Sequence, residues 1–123
     1  MCLTYIDHKE TKRMQALEKP IKAWKVLWRR WTGEVRGPCH SFVFHTGKNV
    51  DEKRRHLSSS LSGETYKAGF HCFKTRKDAE EYKDIPAELI VHVLVNPKTI
   101  TAVGKQNLKR VIVAREIEIL DEI

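Results

Sequence analysis

No apolar run in the chain approaches the about 20 residues that a membrane-spanning helix needs, so no membrane partner is expected. The opening segment MCLTYIDHKETKRM mixes acidic and basic residues and has no apolar centre, which argues against a secretory leader. Cysteine is scarce. Cys2, Cys39 and Cys72 are odd in number and far apart, so they do not form a disulfide framework. A reducing, cytoplasmic setting follows from that usage. The phosphate-cradling patterns G-x-x-x-x-G-K and G-x-G-x-x-G are absent, as are C-x-x-C and H-x-x-x-H. The sequence therefore calls for no cofactor and no metal.

The six histidines invite a closer look, because two stand beside cysteine, as Cys39–His40 and His71–Cys72. Neighbours on a strand point to opposite faces, so each pair offers one ligand to any one site. Cys39 and His45 share parity but would lie about 20 Å apart along an extended strand. Zinc would need residues from separate strands, such as His71, His92 and His40. The carboxylate pairs Asp51–Glu52, Glu80–Glu81 and Asp121–Glu122 sit in polar runs that suit solvation better than acid–base chemistry.

What the chain does have is basic charge. The formal net charge is +7 over 123 residues, with an isoelectric point near 9.5. Most of the excess lies between Lys9 and Arg36, whereas the terminal REIEILDEI leans acidic. Such asymmetry suits a polyanion or an acidic protein surface as partner, and equally a solvated basic face. Within that third, KAWKVLWRRWTGEVR interleaves tryptophan with Lys and Arg, as single-strand binders do. Alternation assigns Trp24, Val26 and Trp28 to a core face and Lys25 and Arg29 to the opposite, basic face. Trp31, at the strand end, is expected to be exposed. The candidate binding set is Lys22, Lys25, Arg29, Arg30, Trp31 and Arg36, joined by Arg54 and Arg55 from a polar loop.

A chain of this length fits one domain, residues 1–123. Asp7 and Glu10 have capping-box-like spacing before a helix that Pro20 ends. IKAWKVLWR reads as a strand, Thr32-Gly33 as a turn, GEVRGP as a loop or short return strand and CHSFVFHTG as a further strand. Residues 49–63 are polar, with a short helix over 51–57 and a surface loop as the expectation. GFHCF is a short strand, and Thr75 caps the helix that follows. ELIVHVLV is apolar on both faces, so it is a central strand. NPKT turns into ITAV, GKQN turns again and RVIVAREIEIL closes as one long strand. The expected class is α+β, with a mainly antiparallel sheet of five or six strands and one or two short helices.

Catalysis enters through cysteine. Removal of Met1 would expose Cys2, whose α-amine could act as general base toward its own thiol. With His71, this makes a cysteine-dependent hydrolase or transferase the alternative to binding. Cys72 with His92 or His45 is the other arrangement. A structural or assembly protein with no catalytic site is the third reading.

Taken together, MCLT, IKAWKVL, YKAGFHCFKTRKDAEEY and VIVAREIEIL resemble a group of small phage-, prophage-, giant-virus- and bacteria-type proteins. These have an MCL start, a Y/W-K-V-L strand and a G-x-H-x-F…A segment. The matching positions are Cys2, Trp24, Lys25, Val26, Gly69, His71, Phe73 and Ala79. The resemblance implies a phage–host setting but no activity. GFHCFKTRKDAEEY is also similar to the G-x-Y-F…A segment of ADP-ribosyltransferases, without a partner motif for NAD or a catalytic Glu.

Overall fold

Capped helices and alternating strands account for most of the elements seen in the computed structural model, which describes residues 3–37, 42–52, 55–83 and 88–123. β1 (Tyr5–Ile6) leads into α1 (His8–Gln15), where the Asp7 side chain accepts the Glu10 N–H as its N-cap. β2 (Ile21–Arg29) and β3 (Val35–Arg36) form a hairpin, followed by β4 (Gly47–Val50). β5 (His56–Ser58) and β6 (Thr65–Lys67) form a second hairpin. β7 (Phe70–Phe73) precedes α2 (Arg76–Tyr82), capped by Thr75 as its sequence suggests. β8 (Glu88–Val95), a 3-10 turn at Pro97–Thr99, β9 (Ile100–Gln106), β10 (Lys109–Ala114) and β11 (Glu116–Ile119) complete the chain. Among the described residues no helix is long and apolar enough to cross a membrane.

The class is α+β, with two α-helices among the described residues, but the expectation of five or six strands is wrong. Among the described residues nine strands form one sheet, and β5–β6 form a separate two-stranded ladder. The main sheet runs β1–β9–β10–β7–β2–β8–β11–β4, with β3 beside β2, and its pairings are antiparallel. The surplus comes from short strands without an alternating apolar run, such as TYK and GKNV. The helix expected over 51–57 is absent from the described residues there, which instead enter β5. In CHSFVFHTG, residues 39–41 lie outside the described residues, and the rest makes one isolated bridge, Arg36 to Val43, before β4 begins at Gly47.

RVIVAREIEIL is two strands rather than one. β10 pairs with β7 and β9, whereas β11 pairs with β8 and β4, and only Arg115 separates them. The path β10–β7–β2–β8–β11 therefore returns to its own start, and the sheet curls into a barrel-like loop. Arg115 anchors the bend. Its backbone N–H donates to the Thr99 carbonyl, and its guanidinium donates to the Asp51 carbonyl at 2.7 Å.

Curling creates two apolar layers. The inner one gathers Leu27, Phe70, Cys72, Val91, Val93, Ile112 and Ile117, with Met14 of α1 packed against them. The outer one joins Val26, Phe73, Val111 and Val113 to Leu3, Tyr66 and Ala79, which α2, the β5–β6 hairpin and the N-terminal segment bring over the sheet. This second cover makes both faces of ELIVHVLV apolar. At the edge, β1 crosses so tightly over Gly104 that a Cβ there would sit 2.0 Å from the Tyr5 carbonyl oxygen. Only glycine permits that approach.

Candidate functional site

The β2–β3 hairpin carries the exposed part of the basic segment. Its three-residue loop is set by local chemistry. Gly33 sits at φ +92° and donates its N–H to the Arg30 carbonyl at 2.9 Å, and Arg30 N–H donates to Glu34 at 2.8 Å. This is the turn-plus-left-handed-residue geometry that suits a three-residue hairpin. It fixes Trp31 at the apex, where the side chain is 98% exposed. The Arg30 guanidinium lies 5.4 Å from the Trp28 ring centroid, a cation–π contact. Arg29 is exposed beside it. The tip thus offers a bare indole and a second indole covered by a guanidinium.

The other expected binding residues are dispersed. Lys22 is exposed but lies seven residues back along β2, about 23 Å from Arg29. Arg36 stands opposite Trp28 and is half-buried, its guanidinium held by Glu34 at 2.8 Å. Arg55 is exposed at the entry to the β5–β6 hairpin, whose loop is tied to Leu3 and Thr4 rather than to the tip. Arg54 lies outside the described residues. Lys25, expected on the basic solvent face, is instead 3% exposed and points into the inner layer. Its ammonium donates to the His71 carbonyl at 2.9 Å and lies 5.3 Å from the Phe44 ring.

Of the proposed catalytic pair, Cys2 and His71, only His71 lies among the described residues. His71 is 2% exposed in the outer layer, with Nε2 3.1 Å from the Tyr66 hydroxyl. That hydroxyl accepts the Leu3 N–H at 3.0 Å. Cys2 lies outside the described residues. Cys72 points to the inner face, so the sheet separates it from the imidazole of His92 on the outer face. Burial pushes the Cys72 thiol up to about 11, against a smaller opposing pull from the Lys25 charge. It is a neutral packing group. His92 and His71 are separated by two strand steps and two residues, about 12 Å. His92 is instead hydrogen-bonded to Asp121 at 3.0 Å. The His92 backbone N–H, more than the ring, holds the Asp121 carboxyl below its usual range. Among the described residues no three His, Cys, Asp or Glu side chains converge to hold a metal.

Tyr66 and the Trp28–Arg30 pair escape a sequence reading. Tyr66 lies in a three-residue strand with no periodicity to reveal it. Trp28 shares parity with Trp24 and so reads as core, whereas in the sheet it is half-buried, in register with Glu88 on one side and Arg36 on the other. Comparison with family models, with curated proteins and with solved structures finds no match to this chain.

Proposed function

We propose that the protein binds single-stranded nucleic acid through the tip of the β2–β3 hairpin. The observation that carries this reading is Trp31, fully exposed at a turn apex between Arg29–Arg30 and a glycine-set bend. Leaving an indole in water forgoes a large apolar burial, and a rigid hairpin holds it ready to stack on an unpaired base. Arg29 and Arg30 supply charge for the flanking phosphates. The +7 net charge adds long-range attraction.

Fluorescence anisotropy of a labelled single-stranded oligonucleotide tests the reading. Binding at low salt should weaken with a log–log salt slope of about −1.5 to −2, for two or three phosphate contacts. Trp31→Ala should weaken it by about 5- to 150-fold, the range of one base stack. Poly-glutamate that competes as well as the oligonucleotide would point to an acidic protein surface instead. Self-association that Trp31→Ala abolishes would favour the assembly reading.

A further inference from the structure

A row of cations crosses the sheet over β9, β10 and the end of β7. Tyr5 pairs with Lys105, and Lys105 pairs with Arg110. One step beyond the Phe73–Val111 pair, the Lys74 N–H donates to the Arg110 carbonyl at 3.1 Å. Residues directly opposite share a face, so Lys105, Arg110 and Lys74 stand side by side at about 5 Å intervals. Like charges so placed destabilise a sheet. Lys74 is partly compensated by Glu10 at 3.7 Å, but Glu10 is already bound to Arg13. Among the described residues Lys105 and Arg110 form no ion pair.

The same three cations rim a cavity of about 250 Å³ between α1 and the sheet. Its lining also includes two carboxylates: Asp7, which accepts the Glu10 N–H, and Glu10, which pairs with Arg13 and Lys74. Its floor is apolar, built from Met14, Val103 and Ile112. Tyr5 stands at its mouth, 37% exposed. A single carboxylate would be met by one guanidinium. Three adjacent cations suit a dianion with oxygens directed to several of them, and the floor suits a compact apolar group attached to it. We propose that this cavity binds a small phosphate monoester, the phosphate on Lys105, Arg110 and Lys74 and its organic part on Met14 and Ile112.

Calorimetric titration of the full chain with phenyl phosphate, inorganic phosphate, phenol and benzoate tests this. Phenyl phosphate should bind at least about tenfold more tightly than any of the other three, since it alone uses both halves of the site. Lys105→Gln, at a half-buried position, and Arg110→Gln, at an exposed one, should each weaken it by about tenfold. Amide shift changes on adding phenyl phosphate should centre on residues 103–112, and Trp31→Ala should leave the affinity unchanged. The proposal is overturned if phenyl phosphate shows no saturable binding at millimolar concentration. Benzoate or inorganic phosphate binding equally well, or indifference to both substitutions in folded protein, overturns it too.

Discussion

The ammonium of Lys25 meets the carbonyl oxygen of His71 across the seam between β2 and β7. Those strands share a single register pair, Trp24 with Phe73. No further register pair continues that ladder, and the lysine side chain donates to the His71 carbonyl at 2.9 Å. Lys25→Ala removes the packed stem and that donor together, so stability should fall by about 3–5 kcal/mol. Lys25→Met keeps the stem and loses the donor alone, at a cost of about 1–3 kcal/mol. Urea unfolding of the two variants measures the difference. A Lys25→Met variant as stable as wild type would show that the ammonium contributes nothing at the seam, and equal losses in the two variants would show that the stem contributes nothing.

Alternation located β2 and β8 to the residue but misjudged what lay on either side. A two-layered strand and an amphipathic one differ only in which polar residues are buried, and Lys25 is the residue that distinguishes them. Its four-carbon stem lets a strand-face lysine pack inward while the ammonium finds a carbonyl and ring faces. Nothing in IKAWKVLWR distinguishes that from an outward lysine. The break at Arg115 was equally hidden, because REIEIL keeps its alternation through the bend. Trp31 was legible, since it falls one residue before a Thr-Gly turn. The row Lys74–Arg110–Lys105 was not, because cross-strand register brings together residues that are up to 36 positions apart.

The β9–β10 turn carries avoidable strain. Asn107 and Leu108 both have positive φ, 47° and 70°. This two-residue turn accepts Asn readily at its first position and strongly prefers Gly at its second. Leu108 gains nothing in return, since it is 87% exposed. Leu108→Gly should raise stability by about 0.5–1 kcal/mol after the added freedom of the unfolded chain is counted. Leu108→Ala should give no such gain. Thermal unfolding of the pair separates backbone strain from loss of an exposed apolar side chain.

Glu10 links α1 to the sheet and makes stability depend on pH. Hydrogen bonds from Arg13, aided by its charge and that of Lys74, hold the Glu10 carboxyl down to about 2 from its ordinary 4.5. A depressed carboxylate contributes its full share above the unfolded-state value and loses it as pH falls toward the folded one. Wild type should therefore exceed Glu10→Gln in stability at pH 7, and the gap should close between about pH 4.5 and about pH 2. A gap that is constant from pH 7 to pH 2 would assign the effect to side-chain shape alone.

Cys72 provides a test of the cysteine-chemistry alternative. Its thiol is fully buried and pushed up to about 11, so at pH 8 it is neither ionised nor accessible. Maleimide labelling followed by peptide mass mapping should leave Cys72 unmodified in the native protein and label it in urea. The native rate should follow opening of the fold, rising in Lys25→Ala by about tenfold for each 1.4 kcal/mol of stability lost. Lys25→Met removes the nearby positive charge, so it should push the thiol further up. Faster Cys72 labelling in folded wild type than for a free thiol would reverse this account and return the residue to the catalytic candidates.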